Sequence, residues 1–369
     1  MLPADRPILV TGAGGFIGGR VVEVLHGLPG VSVRPAVRRW SSAARIGRLP
    51  VDIVLCDVTD LDQVRRAMEG VGAVVHCAYG DRRTTVEGTR AVLQAALEAG
   101  ADRVVHLSTM DVYGDVEGDV DEAAPLLRNG TTYRDSKIDA ELVCRSYVDR
   151  GVPVSILRPT IVYGPFSTAY TVGFAERLLA GGGFPSREDC QGTCNLLYID
   201  DLVSAILLAL GRKEAVGEAF NVNGEERPTW WQYLNDLSRA LHLPPLNGAR
   251  PLARRLRFAA LAPVRTLAGK ARDRFARPMM ALYRSSLVAQ RLLRSAEHVV
   301  RRLPSAGEYR LFKRKVYLPV DKARNLLGYE SQFPAARGIA LSARWLRHHG
   351  FLGVPEEAEW TSSTSLLPG

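Results

Sequence analysis

Aromatic residues are scarce in this 369-residue chain, at 7%, and its five cysteines have no disulfide-framework spacing. An odd set (Cys56, Cys77, Cys144, Cys190 and Cys194) argues against a bridge-stapled secreted domain and for reduced thiols in the cytoplasm. Cys190 and Cys194 stand four apart in CQGTC, but no histidine or further cysteine beside them completes a zinc set, so no metal is expected. No run of about 18 uncharged apolar residues occurs, so no membrane-spanning helix is expected. MLPADRPILV lacks a basic start followed by a long apolar run, so no signal peptide is expected either.

What is present reads as a globular chain of one large domain and a smaller companion: 46% hydrophobic residues and 24% charged. The charge is unevenly placed. Residues 250–315 hold 18 Lys and Arg against 3 acids, so this segment carries +15 of a chain whose net is +9, and the remainder carries −6. Its arginines alternate with Leu, Val, Phe and Met at helical spacing, broken by Pro263 and Pro278, which describes basic amphipathic helices. Three uses stay open for it: a helical cap with a solvated basic face, contact with an anionic membrane surface or a protein partner, or a clamp on a substrate phosphate. Stacking aromatics are few there, which excludes nucleic acid as the expected partner.

Short apolar runs at 7–10, 31–37, 52–58, 72–78 and 103–109 read as strands, with helical patterns at 16–28, 61–69 and 86–99 between them. A helix over 131–150 and strands at 153–158 and 196–199 follow. Strands and helices alternating in this rhythm imply a parallel sheet covered on both faces. Residues 160–190 and 224–315 break the rhythm, and Gly181, Gly182 and Gly183 are expected in a loop. They are assigned to a smaller lobe, and the residues from Pro355 on to a polar tail.

TGAGGFIG lies between the first strand and the first helix. Gly12 permits the tight turn, Gly15 lets backbone approach a pyrophosphate, and Gly18 allows close helix-on-strand packing; Gly14, Phe16 and Ile17 complete the turn. After the second strand come Arg38, Arg39, Trp40 and Ser41, with no acid from Val31 to Pro50. Paired guanidinium groups and a hydroxyl suit a 2′-phosphate, so NADP(H) is favoured over NAD. Asp57 and Val58 end the third strand where an adenine edge would lie, and Cys77 and Ala78 end the fourth beside the nicotinamide riboside. His76 reads as a core histidine. Tyr133 and Lys137, four apart in YRDSK, share one helix face. An ammonium one turn away, with a cationic nicotinamide, favours the phenolate of a tyrosine otherwise too weak a base at neutral pH. Thr109, ending the fifth strand, can hydrogen-bond the same substrate oxygen.

These strings, with LSTMDVYG, LRPTIVYGP, NLLYIDDLVSAILLAL, AFNVNG and VDKARNLLGY in this order from 107 to 329, resemble the extended short-chain dehydrogenase/reductases of the NAD-dependent epimerase/dehydratase family. The resemblance implies an α/β fold, a Rossmann doubly wound parallel sheet with a smaller C-terminal substrate-binding lobe. It implies that 1–165 bind dinucleotide, with returns to the sheet near 195–222 and 317–330, and that 166–194 and 223–350 form the lobe. It places Thr109, Tyr133 and Lys137 in the catalytic positions, Pro159 and Ile161 beside the nicotinamide carboxamide, and Asp200 and Asp201 at the start of a structural helix. Substrate contacts are expected from Tyr79, Thr109, Asp111, Arg187 and Asn195. Two departures stand out: the loop after the fourth strand is cut to Tyr79–Thr84, with Thr85 where the family has asparagine, and the usual phosphate-binding arginine has only Arg187 nearby and Asn195 on the approach.

The expected function is an epimerase or ketoreductase of a nucleotide-diphosphate sugar, serving polysaccharide or glycoside synthesis. Alternatives are an NADPH-dependent reductase of a non-sugar carbonyl, of the flavanol- or steroid-dehydrogenase kind, and a cofactor-loaded sensor. The implied assembly is a cytoplasmic homodimer, with the basic segment available for the inner face of the membrane.

Overall fold

Ile8 and Val10 turn to one side of their strand and Leu9 to the other, and all three are fully buried, so this strand needs an apolar layer on each face. The same alternation runs through Ala73 to Val75 and Val104 to Leu107. The computed structural model describes residues 5–180, 184–246 and 306–351. Most of the basic segment, the glycine triplet 181–183 and the tail lie outside them.

In chain order the elements are β1 (Ile8–Thr11), α1 (Phe16–His26), β2 (Val33–Val37), β3 (Val54–Leu55), α2 (Leu61–Met68), β4 (Ala73–His76), α3 (Gly88–Ala99), β5 (Arg103–Leu107), β6 (Gly118–Asp119) and α4 (Thr132–Val148). There follow β7 (Val154–Pro159), β8 (Ile161–Tyr163), α5 (Gly173–Leu179), β9 (Leu196–Tyr198), α6 (Ile199–Gly211), β10 (Ala219–Val222), α7 (Trp230–Ala240), α8 (Ala306–Lys313), β11 (Val316–Tyr317), α9 (Asp321–Leu327) and α10 (Ala335–His348). Seven strands form one parallel sheet in the order β10-β7-β5-β4-β1-β2-β3. The chain winds outward in both directions from β1 and β4, so a crevice opens at the carboxyl ends of these two strands. The fold is Rossmann-like, as the motif order implies.

Two returns to the sheet differ from expectation. β9 pairs with β8 in a separate two-stranded sheet, and β11 pairs with β6 in another, so of the expected returns only β10 joins the main sheet. Glu122 accounts for the outer edge of β10, where its carboxylate accepts the Asn221 backbone N–H at 2.7 Å. Asp201, the second acid of α6, is buried and accepts from the Ser331 hydroxyl and the Gln332 N–H, both at 2.8 Å. It ties the segment before α10 to the sheet layer, which is a structural task.

Candidate functional site

The glycine turn is shaped by contact. Gly12 has φ +67°, and a Cβ there would stand 2.7 Å from the Ala78 nitrogen, so the turn is pressed against the end of β4. At Gly18 a Cβ would meet the Gly12 carbonyl oxygen at 2.4 Å, whereas at Gly15 that oxygen, at 3.2 Å, is its only close neighbour among the described residues. Gly15 is the N-cap of α1, with no side-chain cap and no acid in the first turn. The helix therefore presents open N–H groups and the positive end of its dipole at the crevice, which fits a dinucleotide pyrophosphate. Ser42 rather than Ser41 closes on this turn, its carbonyl oxygen and Cβ lying where a Gly14 side chain would stand. Arg38 and Arg39 are exposed, without a carboxylate at ion-pairing distance among the described residues. Asp57 lies beyond the shortened β3, where it accepts from the Thr59 N–H at 3.0 Å and hydroxyl at 2.9 Å; Val58 packs under Gly88.

A cleft of about 580 Å³ opens beside the turn. Of the expected site residues it brings together Phe16, Ile17, Thr109, Asp111, Tyr133, Pro159 and Ile161. Tyr133 sits in the first turn of α4, whose entry is set by Asp135: its carboxylate accepts the N–H groups of Asn129 and Gly130, each at 3.1 Å. Its ring is 42% exposed toward the cleft. Desolvation by the surrounding protein still pushes its phenol up to about 12, against a hydrogen bond with Thr109 that lowers it, while Asp111 and Tyr79 add to the rise.

Lys137 is set deeper than Tyr133. Its ammonium is buried behind the cleft, donates to the Leu107 carbonyl at 2.7 Å, and lies 5.6 Å from the centre of the Tyr79 ring. Desolvation pulls it down to about 8. The strand carbonyl holds it inward of the cleft. Tyr79 packs edge-on against Tyr133, ring centres 5.7 Å apart, without lining the cleft itself. His76 is a buried, bonded core residue as expected, its ring nitrogens 2.7 Å from the Thr11 hydroxyl and 3.0 Å from that of Thr89. Thr89 donates onward to the Thr85 carbonyl, so Nε2 carries the proton and Nδ1 accepts from Thr11.

Two expected substrate contacts are not placed in the cleft. Asn195 is buried, its amide donating to the Val316 carbonyl at 2.9 Å and its oxygen accepting from Asn223 at 3.0 Å, so it ties β9 to β11. Arg187 is exposed ahead of the short turn Glu188–Cys190, outside the lining. In their place stand three arginines that the motif reading left unassigned. Arg134 pairs with Asp111 and Asp115, both at 3.1 Å. Arg310 and Arg314 line the cleft from α8 and the turn after it. The Arg314 side chain is 8% exposed and 4.0 Å from Asp111, and one of its terminal nitrogens (Nη2) is buried with no hydrogen-bond partner among the described residues. Arg134 lies inside YRDSK, and the other two belong to the basic segment, where only their charge was legible. Among the described residues no group of three or more His, Cys, Asp or Glu could hold a metal, and no helix is long and apolar enough to cross a membrane.

Residues 8–223 match the model of the NAD dependent epimerase/dehydratase family. The chain is 32% identical over 242 residues to a dTDP-glucose 4,6-dehydratase of Streptomyces antibioticus, covering 59% of this chain and 72% of that one. It is 31% identical over 230 residues to Sterol demethylase protein B of Methylococcus capsulatus, covering 59% and 69%. Its fold resembles that of a UDP-glucuronic acid 4-epimerase from Bacillus cereus solved with NAD: TM-score 0.68 at 19% identity, over 93% of this chain and 96% of that one.

Proposed function

The chain belongs to the NAD dependent epimerase/dehydratase family, and on that footing we propose that it is a nicotinamide-dependent epimerase or ketoreductase of a nucleotide-diphosphate sugar. The observation that carries this reading is one cleft with a Thr109–Tyr133 pair beside Arg310 and Arg314, where one Arg314 donor has no partner among the described residues. Guanidinium groups suit the diphosphate of such a substrate, and an unpaired buried donor is costly until a ligand oxygen meets it. In this assignment Tyr133 holds or takes the proton of the substrate's reacting oxygen, and Thr109 hydrogen-bonds that oxygen. Lys137 keeps positive charge beneath the pair. A bound nicotinamide supplies the hydride chemistry. The phenol, held protonated in the free chain, suits donation to a ketone; use as a base requires the charge of the bound cofactor to lower it.

We favour NADP(H), because Arg38 and Arg39 are exposed cations at the end of β2, without an ion pair among the described residues, and Ser42 lies against the glycine turn. Residues 1–165 with β10 are assigned to dinucleotide binding, and 166–194 with the described parts of 223–350 to the substrate lobe. Of the uses open to the basic segment, its described end supports the phosphate clamp. A second reading, a reductase of a non-sugar carbonyl, is favoured by a largely apolar chamber of about 660 Å³ beyond Thr168 and by the likeness to Sterol demethylase protein B.

The test is to denature the purified protein, identify any released dinucleotide, and then follow 340 nm absorbance with NADPH or NADH and UDP-glucose, UDP-glucuronic acid and dTDP-glucose. A retained dinucleotide with sugar interconversion and no net absorbance change identifies an epimerase; stoichiometric NADPH consumption with a keto-sugar nucleotide identifies a ketoreductase. Turnover of non-sugar carbonyls alone overturns the sugar-nucleotide reading.

A further inference from the structure

Tyr170 stands where the reaction cleft meets the second, apolar chamber, and it lines both. It lies on a π-helical turn, Thr168–Val172, that is held at Tyr170 itself and at Thr171. Its own carbonyl accepts the Tyr233 hydroxyl at 2.6 Å, and the Thr171 hydroxyl accepts the Gly164 N–H at 3.0 Å. Its ring rests on Phe174 and Trp230, with ring centres 5.9 Å and 6.1 Å away. Backbone and ring are thus both held, yet the phenolic oxygen has no hydrogen-bond partner among the described residues. The groups that act on that oxygen include Tyr133 and Asp111, both in the reaction cleft, together with Cys194 and Glu308. Tyr170 thus stands in the wall of the cleft that holds Tyr133, with a hydroxyl that no described residue takes up.

We propose that Tyr170 is a substrate-contacting residue whose hydroxyl bonds a hydroxyl or carbonyl oxygen of the sugar and fixes how the ring is presented to Tyr133. A rigidly seated donor without a partner is the arrangement that orients a polar ligand in a largely apolar wall. Burial holds the Tyr170 phenol well above its ordinary range, so it stays an O–H donor when the proton on Tyr133 moves. Two phenols in one cleft thereby take different tasks, one moving a proton and one holding the substrate. The inference rests on the nucleotide-sugar reading.

The experiment compares wild type with Tyr170→Phe, which keeps the ring on Phe174 and Trp230 and removes only the oxygen. UDP-glucose, UDP-glucuronic acid and dTDP-glucose are titrated calorimetrically, and the tightest binder is then replaced by its monodeoxy analogues. The expected result is about three- to ten-fold weaker binding by the variant, the worth of one neutral hydrogen bond. That loss should vanish for the one analogue lacking the partner oxygen, while dinucleotide affinity and the urea midpoint stay unchanged. A merely structural role would lower the midpoint and weaken all analogues alike, which would overturn the proposal. Equal binding by wild type and variant overturns it too, and leaves the nucleotide-sugar reading standing. Wild type that binds none of the three overturns both.

Discussion

Glu141→Gln should destabilise this protein more than its one-atom change suggests. Glu141 lies one helical turn beyond Lys137, and its carboxylate is fully buried. It accepts from the Arg158 guanidinium at 2.7 and 3.0 Å and from the Ser108 hydroxyl. Arg158 is buried equally deeply on β7, and its other terminal nitrogen donates to the Tyr113 hydroxyl at 2.8 Å; Tyr113 donates to Asn221 at 2.6 Å. The network joins α4, β5, β7 and β10 beneath the strand end that carries Thr109. Glutamine keeps the shape but leaves the guanidinium buried without a counter-charge, and removing one partner of such a pair costs about 3–5 kcal/mol. Against a typical total of about 5–15 kcal/mol, that is a large share. Urea unfolding followed by circular dichroism measures it, and Arg158→Met with the double variant completes a cycle. The double variant should lose clearly less than the sum of the singles, because the charge left stranded by Glu141→Gln is then gone. A Glu141→Gln loss under about 1 kcal/mol at unchanged slope, or additive singles, would refute the claim that charge pairing holds this junction.

Tyr133→Phe should reduce turnover by about 100-fold or more while leaving dinucleotide affinity within a few-fold, since the oxygen acts only on substrate; a variant keeping a tenth of the rate refutes the assignment. Arg38→Ala with Arg39→Ala should weaken NADP(H) strongly and NAD(H) little, by calorimetry; equal losses, or a wild type that prefers NAD, would remove the argument for the phosphate. Burial pulls His76 down to about 3, with Lys137 adding to the effect, from an unfolded value near 6.5. The unfolded chain therefore binds the extra proton between these limits, so stability present above pH 6.5 is lost as pH falls toward 3, by about 3 kcal/mol at pH 4.5. His76→Asn should flatten that dependence, and identical pH slopes for the two proteins would count against it. Arg314→Met should raise KM for a nucleotide-diphosphate sugar several-fold and leave kcat near wild type, because its guanidinium is assigned to uniform diphosphate binding; a fall in kcat alone would place it elsewhere in the reaction.

The sheet, the glycine turn and the Thr109–Tyr133 pair were legible in the sequence because each is a local pattern. Strands buried on both faces read as apolar runs, Gly12 and Gly18 answer to clashes with nearby backbone, and Tyr133 needs only its place at the head of a helix. Asn195 and Arg187 lie outside the cleft that gathers other expected site residues, because neighbours in the chain are not always neighbours in space. Only folding shows that β11 comes back to take the Asn195 amide, and that α8 and the turn after it bring Arg310 and Arg314 across about 200 residues into the cleft that holds Asp111. The same holds for Lys137, which shares a helix face with Tyr133 as the spacing requires, yet is drawn to the Leu107 carbonyl by a strand that no helical period describes. Backbone patterns repeat every two or 3.6 residues and can be read one element at a time. Which charges meet in the cleft depends on how separate elements pack, and the tertiary structure alone decides that.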